Sequence, residues 1–355
     1  MSALIDQLSD DAVGLLIRLV QTASVSREEA ATATLIEGFL AVHGVTAQRH
    51  RNNVWALSRY FDAAKPTILL NSHHDTVKPG TGWSHDPFGA VLDGDKLIGL
   101  GSNDAGAAAV SLLAVFLYFY EQEIPFNLIC AITAEEETSG VNGIRSVLPK
   151  FGRVDLGIVG EPTGMDLAIA EKGLIVLDAT AFGTTGHAAR EEGENALYKA
   201  LNDIQWLRQH EFPRVSPLLG PVKMTVTQIV AGTQHNVVPD RCQFVVDVRT
   251  NELYQNQEII DIIRANVQAE IVPRSTHLNS SGISPNHALV RKAVAMGKQV
   301  YGSPTLSDQS MMPFDTVKMG PGESARSHTP DEFVLVSEIR AGIREYIALL
   351  TGFSF

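Results

Sequence analysis

Basic residues are few in this chain, and nowhere do they gather. Its 355 residues hold 28 Lys and Arg against 40 Asp and Glu, a formal net charge of −12. Such a surface repels a phosphate backbone, and nothing beyond pairs such as Arg291-Lys292 offsets it, which argues against nucleic acid as a partner. Cysteine is scarcer still, with Cys130 and Cys242 alone. Each sits in an apolar, strand-like run, where a buried free thiol fits better than a disulfide. A long hydrophobic run is also lacking. The most apolar stretch, Ala107 to Tyr120, contains Ser111 and falls short of the roughly 20 residues that cross a bilayer. Met1 to Asp11 is acidic, without the charged-then-apolar order of a leader. These absences predict a soluble, cytoplasmic protein that uses neither membrane nor nucleic acid. Repeats and low-complexity segments are missing too.

Enough apolar residues are present, 45% of the chain, to build real cores, and the length predicts two domains. A first helix carries Leu15, Leu16, Leu19 and Val20 at helical spacing, with Asp10 as a candidate cap, and a second runs from about Glu28 to Val42. Short apolar runs then alternate with helical segments: Val54–Leu57, Thr67–Leu70, Phe126–Ile132 and Leu156–Val159, with a buried helix from Ala105 to Tyr120. This is the grammar of an α/β fold, a mainly parallel sheet with helices on both faces.

From about Glu171 to Leu278 the grammar changes. A strand at Leu174–Phe182, a helix at Asn195–His210, half-exposed strands at Lys223–Val230 and Cys242–Val248, a helix at Asn256–Val267 and a strand near Ala269–Val272 give the order β-α-β-β-α-β. That is the order of a ferredoxin-like α+β unit. Past Asn279 the α/β pattern returns, with a helix from about Ala288 to Tyr301, a strand near Thr316–Met319 and a last helix from Ser337 stopped by Gly352. Residues 171–279 therefore read as a domain inserted into one made of residues 1–170 and 280–355.

In open α/β sheets ligands collect beyond the carboxyl ends of the strands. Here those ends carry histidine and carboxylate. Leu69-Leu70-Asn71-Ser72 runs into His73-His74-Asp75, Ala131–Ala134 into Glu135-Glu136-Glu137, and Ile158-Val159-Gly160 into Glu161-Pro162. The strand at Thr316–Met319 ends in Gly320-Pro321-Gly322, with His328 in its loop. Asp104 precedes the buried helix, where it can cap that helix and still face the site. Taken singly, an acidic triplet is usually a solvated turn and a lone histidine a satisfied side chain. Together they place several carboxylates beside one another, whose repulsion is costly unless cations sit among them. Two divalent ions would supply that charge, and histidine with carboxylate suits zinc, with cobalt or manganese as replacements.

These segments resemble the co-catalytic zinc hydrolases that include acetylornithine deacetylase, succinyl-diaminopimelate desuccinylase, aminoacylase and carboxypeptidase G. The resemblance spans essentially the whole chain. It rests on Ser72–Val77, Gly99–Asp104, Thr133–Ser139, Gly160–Thr163 and Ser327–Glu332 in that order. It implies that His73 and Glu161 bind one metal, Glu137 and His328 the other, and that Asp104 bridges them. Asp75 would orient His73 from behind. Glu136 would be the general base that takes a proton from water and returns it to the leaving amine.

In the inserted domain, Gly186-His187-Ala188 resembles the family's histidine that reaches a partner subunit's site and donates to the oxyanion. Asn236 and Arg249 match its substrate contacts, which implies a homodimer through that domain. Strand alternation separately puts Arg249 on a polar face with Asp247 and Gln243, where it could bind a carboxylate or pair with Asp247 or Glu252.

Two departures touch the subfamily rather than the ligands: Glu135 where many relatives have Asp, and Ala105-Gly106 where Met-Lys-Gly is frequent. The Thr133–Ser139 stretch is most like acetylornithine deacetylase, so the resemblance implies hydrolysis of a small N-acylated amino acid, N-acetylornithine first. N-acylcitrulline, N-succinylornithine, N-succinyl-diaminopimelate and the substrates of a carboxypeptidase or dipeptidase are the alternatives. An inactive binding protein on the same fold is disfavoured, because all five ligand positions and Glu136 are present. A nucleotide-binding protein is disfavoured because Gly99-Leu100-Gly101 is only a fragment of the phosphate-binding fingerprint.

Overall fold

Strands Thr67–His73 and Asn127–Thr133 are buried along their whole length, as parallel strands covered on both faces must be. In the computed structural model, which describes residues 2–190 and 192–355, they pair in parallel with Thr67 opposite Asn127 and His73 opposite Thr133. Leu156–Val159 lies on the other side of Thr67–His73, and Thr316–Lys318 beyond it, both pairings parallel. The four strands whose ends carry the histidines and carboxylates are thus consecutive neighbours. Asn53–Leu57 and Leu167–Glu171 flank them as antiparallel strands.

Helices cover both faces. On one, the almost wholly apolar Ala107–Tyr120 packs against Ser2–Val20 and Val336–Leu350. It comes so near the sheet that a Cβ on Gly160 would lie 2.8 Å from Leu112 Cδ1. On the other face Leu69, Ile129, Ala131 and Val159 gather with Trp55, Ile144, Val147 and Phe151. Burying each such Leu or Ile contributes about 1.5–3 kcal/mol. Ser102–Tyr120, the one helix among the described residues long and apolar enough to cross a membrane, is 89% buried inside the protein. Cys130 and Cys242 are both buried and free.

The chain forms two compact units, one of residues 1–169, 283–301 and 307–355, the other of 170–282 with 302–306. Within the second, Gly173–Phe182, Ala196–Gln209, Lys223–Ala231, Arg241–Thr250, Asn256–Asn266 and Glu270–Pro273 follow one another as β-α-β-β-α-β. Its antiparallel sheet has Lys223–Ala231 at one edge and Glu270–Pro273 at the other. One face buries Leu177, Phe244, Val246 and Val248 against Leu207, Ile259 and Ile263.

Three local expectations are corrected. The helix expected to reach Tyr301 ends at Ala295, and Val300–Ser303 is a strand. Gly297, at φ +87°, stops it, with Gly297 N–H on Val294 O and Lys298 N–H on Ala293 O closing its last turn. Asp10 does not cap the first helix, which already runs through it from Ser2, and pairs instead with Arg340. Nor does Asp104 cap Ala107–Tyr120, which has no side-chain cap; its carboxylate turns to His73 instead.

Candidate metal centre

Parallel pairing brings the ends of Thr67–His73, Asn127–Thr133 and Leu156–Val159 to one rim, so His73, Glu136, Glu137 and Glu161 arrive together. A smaller sheet brings the rest. Phe333–Leu335 pairs antiparallel with Lys96–Ile98, which lays the loop from Gly99 to Asp104 beside the loop that carries His328. Gly99 N–H donates to Glu332 O at 2.9 Å, continuing that register.

Asp104 stands in the middle. Its Oδ1 is 3.3 Å from His73 Nε2, and its Oδ2 is 3.6 Å from His328 Nε2. Glu161 Oε1 and Glu136 Oε2 each lie 3.7 Å from His73 Nε2. Glu137 Oε2 lies 3.0 Å from His328 Nε2. Ligand atoms of His73, Asp104 and Glu137 fall within 4.8 Å of one another, as do those of His73, Glu136 and Glu161. His73 Nδ1 sits 2.9 Å from the backbone carbonyl of Asp75. A carbonyl only accepts, so Nδ1 carries the hydrogen and Nε2 turns its lone pair towards the carboxylates.

The Asp75 carboxylate faces His73, its Oδ1 3.5 Å from Nδ1, and has a further task. Its oxygens accept the backbone N–H groups of Glu136 at 3.0 Å and Glu137 at 3.2 Å, and the Ser26 hydroxyl at 2.7 Å. It therefore holds the turn on which both glutamates stand.

The charge balance of the rim is that of a cation site. Burial, then the neighbouring Asp104, raises Glu161 to about 8. Burial, then Glu161, Asp308 and Glu137, raises Glu136 well above the usual carboxylate range. The hydrogen bond to Glu137 raises His328 to about 9. Burial opposes the charged form of His73, yet Glu136, Asp104, Asp75 and Glu161 together hold its pKa well above the ordinary imidazole value. Protons are thus retained where divalent cations would relieve the same repulsion. Two imidazoles among carboxylates form a donor set that fits such ions.

Residues 69–352 match the peptidase family M20/M25/M40. The chain belongs to that family. It is a metal-binding hydrolase of amide bonds. It is 29% identical over 276 residues to succinyl-diaminopimelate desuccinylase 2 of a Ruegeria species, covering 73% of this chain and 70% of that one. Its fold is that of aminopeptidase PepT from Bacillus cereus, with TM-score 0.78, 19% identity and 96% and 98% of the two chains covered. It is also that of YxeP from Bacillus subtilis, described as a dinuclear metal-binding peptidase, with TM-score 0.72, 16% identity and 99% and 98% covered.

In the second unit of this family member, Gly186–Ala188 runs alongside Asn236–Val238. Ala188 N–H donates to Asn236 O at 3.0 Å, and Val238 N–H to Gly186 O at 2.9 Å. His187 and Asn236 are both exposed. The Ala189 N–H donates to His187 Nδ1 at 3.1 Å, so the neutral ring carries its hydrogen on Nε2. Arg249 adopts the ion pair considered from its sequence, with Nε 2.9 Å from Asp247 Oδ1 and Nη2 3.0 Å from Oδ2.

Sequence reasoning missed Asp308, which is 1% exposed and accepts the Thr133 hydroxyl at 2.7 Å. Burial raises it to about 7, and it adds to the negative charge around Glu136. A single Asp in a loop gives no signal that it folds beneath the rim. Glu332 was visible only as part of a motif; its buried Oε1 accepts both the Asn103 and the Asp104 N–H at 2.9 Å. Glu135 is accommodated in place of the family's frequent Asp, its Oε1 accepting Asn142 Nδ2 at 2.9 Å.

Proposed function

We propose that this protein removes the acyl group from an N-acylated amino acid with two divalent ions, zinc first, held by His73, Asp104, Glu137, Glu161 and His328. The observation that carries this reading is Asp104, whose two oxygens face two different imidazoles, His73 and His328. By these positions, His73 with Glu161 would hold one ion, Glu137 with His328 the other, and Asp104 would join both. When bound, the ions would supply Lewis-acid polarisation of the amide carbonyl and would acidify a water.

Glu136 is the proton carrier. Burial and its acidic neighbours raise its affinity for a proton, which suits a group that takes one from water and gives it to the leaving amine. Asp75 holds the backbone of Glu136 and Glu137, so base and ligand move as one. His187, with its Nε2–H free to donate, suits stabilisation of the developing oxyanion, and Asn236 and Arg249 suit a substrate carboxylate. For Arg249 this requires exchanging or sharing Asp247.

The His187 role is read as acting across a homodimer. Supporting this, the edge strand Lys223–Ala231 exposes Ile229 and Val230, the latter at 70%, and the helix Ala196–Gln209 of the same unit exposes Tyr198 and Leu201.

N-acetylornithine is the first substrate reading, carried by Thr133–Ser139. A succinylated diamino acid is the second, favoured by the Ruegeria relative. The test is turnover by zinc- or cobalt-loaded protein on N-acetyl and N-succinyl derivatives of ornithine, citrulline and diaminopimelate, with dipeptides. Metal-dependent release of one amino acid names the substrate; silence with two ions bound removes the deacylase reading.

A further inference from the structure

Asp104 and His328 come from segments far apart in the chain, joined where Asn103 meets Ser327, 224 residues on. Asn103 is fully buried, and its side-chain amide is spent on that distant loop. Its Oδ1 accepts the Glu323 N–H at 3.0 Å. Its Nδ2 donates to Glu323 O at 3.1 Å and to Ser327 Oγ at 3.2 Å. Gly322, at φ +91°, passes so near that a Cβ there would lie 2.4 Å from Asn103 Oδ1. On the backbone side, Glu332 Oε1 grips the N–H groups of Asn103 and Asp104 together. The loop is anchored at its outer side by Arg326, whose guanidinium makes two bonds to Glu338 at 2.7 and 3.0 Å.

We infer that Asn103 is a positioning residue for the second ion: its amide fixes the His328 loop against Asp104 and so sets the affinity of the site formed by Glu137 and His328. The inference rests on the two-ion reading above. The reason is geometric. Glu137 is held from the other side of the rim by Asp75, and Asp104 by Glu332. His328 alone depends on a loop, is half exposed, and sits at φ +59°. Removing the amide leaves Asp104 in place but frees the segment that brings His328 to it. His73 stands on a strand end away from that loop, and the Glu161 turn is tied to its start by the backbone bond of Gly164 N–H to Gly322 O at 2.7 Å, which the Asn103 amide does not supply.

The test is zinc titration against a competing chelator, on wild type, Asn103→Ala and Ser327→Ala, with unfolding temperature recorded for each. Wild type is expected to bind two ions; fewer than two would remove the underlying reading rather than this inference. Asn103→Ala is expected to keep one tight ion and weaken the other at least ten-fold, and zinc anomalous scattering should show the loss at Glu137 and His328. Ser327→Ala should weaken the same ion by a smaller factor. Two ions of unchanged affinity in Asn103→Ala, or equal weakening of both, would overturn the inference, because a purely structural amide lowers stability without separating the sites. If Asn103→Ala does not fold, Ser327→Ala decides alone, and unchanged second-ion affinity there has the same force.

Discussion

Asp75 Oδ1 accepts the backbone N–H of Glu136 at 3.0 Å, so the carboxylate next to His73 also carries the turn on which the proposed base stands. Asp75→Ala would leave the N–H groups of Glu136 and Glu137 without their acceptor, at about 1–3 kcal/mol for each buried donor. The expected result is a lower unfolding temperature together with metal affinity reduced about 10–100-fold. Equilibrium dialysis against zinc and a thermal melt measure both. Intact affinity would show that the turn holds its shape without Asp75.

Glu136→Gln is expected to keep both ions and lose turnover by about 10²–10⁴-fold, the usual contribution of a general base. Elemental analysis beside kcat checks it. If zinc content falls with activity, Glu136 is a ligand, as its distance from His73 and Glu161 would also permit.

Metal binding should release protons. Without metal, His328 titrates at about 9 and Glu161 at about 8, so at pH 7 both are protonated. A ligand must be deprotonated to bind, so apparent affinity should rise with pH until those values are passed, and fall in acid. Calorimetric titration of zinc at pH 7 in two buffers of different ionisation enthalpy is expected to show release of at least one proton. Equal heats in both would contradict the protonated cluster.

Gly140 has room for no side chain, because a Cβ there would lie 2.0 Å from Glu135 Oε2. Gly140→Ala is expected to cost about 1–3 kcal/mol by overpacking. Glu135→Asp withdraws the carboxylate by one methylene, so the double variant should recover part of that loss. Urea unfolding of the four proteins gives the coupling; simple additivity would mean that the Glu135 Cβ, 2.5 Å from the added methyl, sets the cost rather than the carboxylate.

Mixing His187→Ala with Glu136→Ala protein should restore part of the activity if His187 serves a partner subunit. A fully active monomer by sedimentation would remove the shared-site reading.

Much of the architecture was legible because periodicity reports burial directly. The continuous apolar runs at Thr67–Leu70 and Phe126–Ile132 mark strands covered on both faces, and a strand's end is visible wherever apolar residues give way to His73 or Glu135. The failures were local. Gly297 breaks a pattern whose apolar residues continue past it, and Asp10 sits at a plausible cap position inside a longer helix.

The sequence by itself determined which residue types reach the rim, since strand periodicity and the rule that ligands gather at carboxyl ends need only local order. Tertiary structure alone decided which atoms meet. Asp75 gives its carbonyl to His73 Nδ1 while its carboxylate takes the N–H groups of Glu136 and Glu137; Asp308 folds beneath Thr133; and Asn103 ties Asp104 to a loop 224 residues away. Such pairings depend on how distant segments close, and each buried donor takes whichever acceptor that closure brings within about 3 Å.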